Sequence, residues 1–146
     1  MSAIRIAIIP HASPAYEQAR LLRERILRLP LGCTLSEKDT EGEEAQIHIA
    51  AMDDASAVIG TLLLKPLPNA VVKFRQMAVD SAMQRAGLGR KLVAFAEQTA
   101  RERGFAFVEL NARMYAAGFY EKLGYAAEGE PFTEVALPHI RMTKRL

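Results

Sequence analysis

One cysteine, no tryptophan and three histidines leave this chain few kinds of chemistry. A lone Cys33 excludes an intrachain disulfide and a cysteine-built metal cluster. With no basic neighbour, it is also a poor nucleophile. A chain without disulfides fits a reducing, cytoplasmic compartment. The histidines, at 11, 48 and 139, show no metal-ligand spacing, so no metal site is expected. An excess of one charge is missing too. Nineteen basic and 17 acidic side chains give +2, which is no footprint for nucleic acid or a membrane surface. No apolar run approaches the roughly 18 residues of a membrane helix, and "IAIIP" is too short for a signal h-region. Repeats, low-complexity tracts and linkers are absent, so one domain over 1–146 is expected. What remains is an ordinary globular composition, 50% hydrophobic and 25% charged. At this length about 70% of the unfolded surface can be buried.

The hydrophobic pattern predicts an α/β chain with a mixed sheet. "IRIAII" (4–9) reads as a strand. Ser13 and Pro14 then supply an N-cap and a first helical residue, followed by Ala19, Leu22, Ile26 and Leu29 at helical spacing. "PLGC" stops that helix, and the acidic tract 34–45 reads as loop or weak short helix. Three strands at 46–52, 57–65 and 70–79, joined by short polar turns, predict an antiparallel meander. In the third, Val72 and Phe74 are even while Met77 and Val79 are odd, so the apolar phase flips near Gln76. Either a one-residue bulge or burial on both faces accounts for it. A helix over 87–103 and a strand over 105–112 follow, a βαβ crossover with parallel strands. A short helix at 114–123 and two closing strands complete the order.

"QRAGLGRKLV" (84–93) places two glycines where that helix begins, at a helix-interior penalty of roughly 1 kcal/mol against alanine. A helix start offers unpaired N–H groups and about half a positive charge. Glycines there expose the main chain to an anion such as a pyrophosphate; a plain tight turn is the other reading. Arg85, Arg90 and Lys91 add positive charge. The stretch lacks the G-x-x-x-x-G-K-[ST] of a Walker loop, and Leu92 stands where a G-x-G-x-x-G fingerprint needs glycine. A nucleotide-phosphate binder would need an adenine site and metal ligands that the sequence does not offer.

"QRAGLG" resembles the [QR]-x-x-G-x-[GA] signature of the GNAT N-acetyltransferase superfamily. "QMAVDSAMQRAGLGRKLVAFAE" is similar to that family's fourth strand, pyrophosphate loop and third helix. "LNARMYAAGFYEKLGY" is similar to its fifth strand and fourth helix. The similarity is sharp over 75–126 and follows the topology of the whole chain. It implies the GNAT fold: a meander, then a crossover whose parallel strands splay apart to admit the pantetheine arm of acetyl-CoA. By this resemblance, main-chain groups of Met77 and Val79 bond the pantetheine, and amides near Ala78 serve an oxyanion. The signature residues Gln84, Arg85, Ala86, Gly87, Leu88 and Gly89, with Arg90, hold the pyrophosphate, and Asn111 lies beside the thioester. The closing "GEPFTEVALPHIRM" resembles the ElaA-like branch through Glu134, Leu137, Pro138 and His139, with Ala136 where that branch has glycine.

Acetyl transfer to an amine needs a positioned thioester, a neutral amine, a stabilised oxyanion and a proton for the leaving thiolate. Tyr120 stands where the family often has its general-acid tyrosine, although it also falls on a core stripe with Ala116, Phe119 and Leu123. Tyr115 is a weaker candidate. His139 titrates in the useful range and is the candidate base; Glu134 and Glu109 are alternatives through water. His48 reads as a sheet residue and His11 as a loop residue. The resemblance thus implies an acetyl-CoA-dependent N-acetyltransferase acting on a primary amine of a small molecule or peptide by direct attack in a ternary complex. A non-catalytic acyl-CoA binding or sensing module is the alternative. Residues 20–40 and 128–140 are expected to shape the acceptor cleft, and the family allows a homodimer.

Overall fold

Ser13 caps the first helix through its hydroxyl, which accepts from the Tyr16 N–H at 3.1 Å, and Pro14 starts α1 (Pro14–Arg23). The computed structural model describes residues 3–146. Helix α1 runs on through an irregular π-type turn (Glu24–Arg28) and a 3-10 turn (Leu29–Leu31) to a left-handed Gly32. The acidic tract contains a single helical turn, α2 (Glu37–Thr40). Ser36 and Asp39 hold it in a reciprocal capping box.

Seven strands form one sheet: β1 (Arg5–Ile9), β2 (Ile47–Met52), β3 (Val58–Leu67), β4 (Val71–Val79), β5 (Phe107–Arg113), β6 (Ala126–Glu134) and β7 (Leu137–Arg145). Their order is β1-β2-β3-β4-β5-β7-β6. The first four pair antiparallel, and β2, β3 and β4 among them form the meander that the polar turns predict. After the crossover helix α3 (Leu88–Glu102), β5 lies parallel to β4. Beyond the short α4 (Ala117–Lys122), the last strand β7 inserts between β5 and the edge strand β6. Their hairpin turns on Val135 and Ala136, at φ +49° and +61°. Ala136 therefore holds a left-handed conformation that glycine takes without strain, which is why glycine suits this place in the resembled branch.

Both explanations of the phase flip in β4 hold. Thr61 faces Ala78 while Leu63 faces Arg75, so β4 advances three residues against two on β3, a one-residue bulge around Gln76. The central strands are also buried on both faces. Leu62, Leu64, Val72 and Phe74 pack with Leu88, Leu92 and Ala96 of α3. Ala50, Met52, Val58 and Ala78 pack with Tyr16, Ala19 and Leu22 of α1. Further along the sheet, Val108, Leu110, Ala112 and Met142 join the α3-side core. Their alternates, Glu109, Asn111, Arg113, His139 and Arg141, face the other side, which α1 does not reach. Among the described residues no helix is long and apolar enough to cross a membrane.

Candidate functional site

Strands β4 and β5 pair only from Val71/Phe107 to Phe74/Leu110. Beyond that point β4 bulges away and β5 continues to Arg113 beside β7. A cleft of about 1180 Å³ opens in the resulting gap. Every expected site residue except Ala86, Leu88 and the alternative base Glu109 lines it, and it also draws in Ile26, Arg28, Asp39 and Glu134 from the two segments expected to shape an acceptor cleft.

The gap-facing edge of β4 is main chain. Asp80 N–H donates to Ile59 O at 2.9 Å, so the Gly60/Val79 pair does not exchange bonds directly. The N–H and C=O of Val79 therefore turn away from β3 towards the gap, and Met77, beside the bulge, has no β3 partner in the register. The Gln84 side chain donates to Val79 O at 3.1 Å. Gln84 thus ties the loop before α3 to the end of β4 and also lines the cleft.

At the head of α3, Lys91 N–H makes the first helical bond, to Gly87 O at 3.2 Å. The amides of Leu88, Gly89 and Arg90 precede it in the first turn, where a helix leaves its N–H groups without helical partners. Two expectations change here. Ala86 spends its N–H on Met83 O at 3.1 Å, because the preceding 3-10 turn extends to it, and it drops out of the expected set. Leu88 offers only its amide, since its side chain is 1% exposed in the core under the sheet. The glycines also serve separate purposes. Gly87 takes φ +79° as the N-cap with no atom within 4 Å of a Cβ built there, so its need is conformational. At Gly89 a Cβ would stand 3.3 Å from Phe119 Cζ, so its absence lets α3 approach α4.

The bulge is held from the α1 side by buried charge, which the sequence pattern does not reveal. Gln76 sits at φ +50°, a strained place for a side-chain-bearing residue in a strand. Its Oε1 accepts from Arg23 Nε at 2.9 Å. Arg23 and Glu43 are both fully buried and form a bidentate pair at 2.6 and 3.0 Å. Tyr16 donates to the same carboxylate at 2.8 Å, and Arg75 approaches it at 3.6 Å. Arg28 pairs with Asp39 at 3.1 Å; burial alone would raise the Asp39 pKa, but hydrogen bonds from Arg28 and Ser36 hold it below the usual range. His48 is a buried sheet residue as expected, with Nε2 donating to Glu43 O at 2.7 Å; burial lowers its pKa. In the sequence Arg23 appears as a polar residue beside an apolar stripe, and Glu43 as one of several acids in a loop. Nothing in their spacing signals the pairing.

Tyr120 lines the cleft and packs edge-on against Phe119 and Tyr125. The ring packs against the core, and the residue also lines the cleft. No sealed polar side-chain atom among the described residues lacks a partner, and no described residue bonds the Tyr120 hydroxyl, so it reaches the open space. Burial, and secondarily the Tyr115 phenol, pushes its pKa up to about 12. Tyr115 is 78% exposed at the mouth, where its hydroxyl accepts from Arg113 at 3.2 Å. His139 is 5% exposed. Its Nδ1 lies 2.9 Å from Leu137 O. A carbonyl only accepts, so Nδ1 carries the proton and the lone pair of the neutral ring is on Nε2, 3.5 Å from Glu134 Oε2. Glu109 instead pairs with Arg141 at 3.6 Å, outside the cleft lining. Asn111 lies in the cleft one residue past the last β4/β5 pair.

A crossover with splayed strands, a bulged β4 and a glycine-led start of α3 define an acyl-CoA N-acyltransferase type of fold. The family model of the acetyltransferase (GNAT) domain matches residues 34–146, and the chain belongs to the GNAT family. A Bacillus subtilis (strain 168) protein assigned as an acetyltransferase is 30% identical over 128 residues, 85% of each chain. A crystal structure assigned as an N-acetyltransferase from Lactobacillus plantarum superposes with a TM-score of 0.88 at 29% identity over 99% of both chains. At lower identity the fold alone is shared. Escherichia coli ElaA (19%, 99% of both chains) has a TM-score of 0.81. A GNAT family acetyltransferase from Elizabethkingia anophelis with acetyl-CoA bound (17%, 98% of both chains) has 0.75.

Proposed function

We propose that this GNAT protein is an acetyl-CoA-dependent N-acetyltransferase that acylates a primary amine by direct attack within a ternary complex. The observation that carries the reading is the gap itself: β4 and β5 part after Phe74/Leu110, and unbonded amides at the head of α3 stand beside the opening. These residues fit the coenzyme. Main-chain groups of Met77 and Val79 would pair with an extended amide-bearing arm. The amides of Leu88, Gly89 and Arg90, with the charges of Arg85 and Arg90, would hold a pyrophosphate. The coenzyme supplies an acyl carbon activated as a thioester.

The remaining work is done by side chains. Tyr120, raised to about 12, stays protonated throughout the physiological range and donates towards the leaving sulfur. His139, which lines the cleft with its Nε2 3.5 Å from Glu134, receives a proton from the amine. An oxygen that gains charge in the transition state is met by main-chain N–H groups near Ala78. No residue of the chain needs to act as a nucleophile.

The first experiment is a melting curve with acetyl-CoA. At 100 times its Kd the coenzyme adds about 2.7 kcal/mol, a rise in Tm of roughly 5–10 °C at this size. No shift with acetyl-CoA, together with a shift with ATP, would overturn the assignment. Thiol release upon addition of an amine separates an enzyme from a module that only binds acyl-CoA.

A further inference from the structure

The inference concerns the acceptor and rests on the acetyltransferase reading above. Most cations around the acceptor half of the cleft already have carboxylate partners. Arg28 has Asp39, Arg75 and Arg23 share Glu43, and Arg141 bonds Glu109 and Glu128. Arg113 differs. It lines the cleft from the end of β5 and is half-buried. Its Nη2 donates to Leu27 O at 2.8 Å across the cleft, and its Nη1 donates to the Tyr115 hydroxyl at 3.2 Å. These two bonds fix the guanidinium in place but neutralise nothing. No carboxylate among the described residues lies within ion-pair distance of it. A guanidinium has five donors, so three remain. A half-buried cation without a counter-charge carries an unrepaid desolvation penalty that a bound anion would relieve.

A second polar group sits beside it. Arg113 and His139 are direct cross-strand partners, which places their Cβ atoms about 5 Å apart on one face. His139 Nε2 and Glu134 Oε2 stand 3.5 Å apart. An ammonium group next to them would meet a carboxylate and an imidazole nitrogen together. One ligand suits both places: a cationic nitrogen at Glu134 and His139, and a carboxylate at Arg113, close together in one molecule.

We propose that the acceptor is a free amino acid, with its α-carboxylate paired to Arg113 and its amine at His139 and Glu134. Its nitrogen and carboxylate carbon are two bonds apart, which suits neighbouring positions on adjacent strands. Polyamines and peptide N-termini, which lack a carboxylate near the amine, are the disfavoured acceptors.

The test compares the common amino acids with their carboxamides and with dipeptides, in thiol release from acetyl-CoA. Carboxamide amines are less basic and hold more free base at pH 8, so the comparison is biased against the proposal. The best amino acid should exceed its carboxamide and its dipeptide at least tenfold in kcat/KM. Arg113→Met should bring that ratio within about twofold, and Arg113→Lys should retain part of it. A second readout needs no turnover. The matching N-acetyl amino acid should raise the Tm of the wild type in the presence of coenzyme A. The N-acetyl carboxamide should not, and Arg113→Met should abolish the shift. Carboxamides, dipeptides or polyamines that match the amino acids would overturn the proposal. So would a ratio that survives Arg113→Met, or an absence of both turnover and carboxylate-dependent stabilisation. If coenzyme A gives no shift while the carboxylate shift at Arg113 persists, the acetyltransferase reading fails and the anion site stands.

Discussion

The two walls of the cleft are made differently. The α3 wall is built from main chain: the freed edge of β4 and the amides after Gly87. The opposite wall is built from side chains: a buried Arg23–Glu43 pair from the α1 side under Gln76, and Arg113, Glu134 and His139 from β5 to β7. A main-chain wall tolerates changes of side chain but not of backbone conformation. A side-chain wall fails one residue at a time. The first suits a ligand that is always the same, and the second suits an acceptor that changes with its lining.

The sharpest way to break this contrast is at Arg23. Arg23→Met leaves Glu43 charged, buried and short of its partner, and should destabilise the fold by about 3–5 kcal/mol in denaturant titrations. Arg23→Met with Glu43→Leu removes both charges. It should lie closer to wild type than Arg23→Met alone, with the bulge loosened and coenzyme affinity lowered. A double variant as unstable as the single one would mean that charge burial is not what makes Arg23 matter.

Next comes Tyr120. Tyr120→Phe should lower kcat about 100-fold, roughly 2.7 kcal/mol in barrier, while the Kd for acetyl-CoA moves less than about twofold. An unchanged kcat at every pH would return Tyr120 to the core alone.

The main-chain wall predicts a smaller and opposite pattern. Gly87→Val forces a β-branched residue to φ +79° and should weaken coenzyme binding at least tenfold, about 1.4 kcal/mol. Arg85→Ala removes an exposed charge but no amide. It should cost less than about fivefold, within the 1 kcal/mol of an exposed ion pair. Isothermal titration of both variants tests the ranking. If Arg85→Ala proves the more damaging, the pyrophosphate is held by side chains after all.

The smallest effect is on stability at high pH. The folded pKa of Tyr120 is raised by burial from 10.0 to about 12. Its contribution is therefore complete below pH 10 and is lost as pH rises towards 12, because the unfolded phenol ionises first. In melting curves over that window, Tyr120→Phe should lose less Tm than the wild type.

Much of the main-chain wall was legible in the residues. Glycines at 87 and 89, a phase flip at 76 and a βαβ spacing are local patterns, and each reports a local backbone requirement. Even so, the reasons needed the fold. Gly87 is required for its φ, Gly89 for the approach of Phe119, and Ala86 turned out to have its amide engaged. The side-chain wall was only half legible. Tyr120, His139 and Glu134 were named from the resemblance and line the cleft, whereas Arg23, Glu43 and Arg113 were not named.

The order of elements, the meander, the crossover and the glycine-led start of α3 were thus determined by the chain alone, because periodicity and glycine placement act over a few residues. Which charges meet was decided only in three dimensions. Arg23 finds Glu43 across 20 residues, and Arg113 finds Leu27 across 86. Long flexible side chains carry no register of their own. Their partners are chosen by which strands lie side by side and by what the folded interior leaves uncompensated.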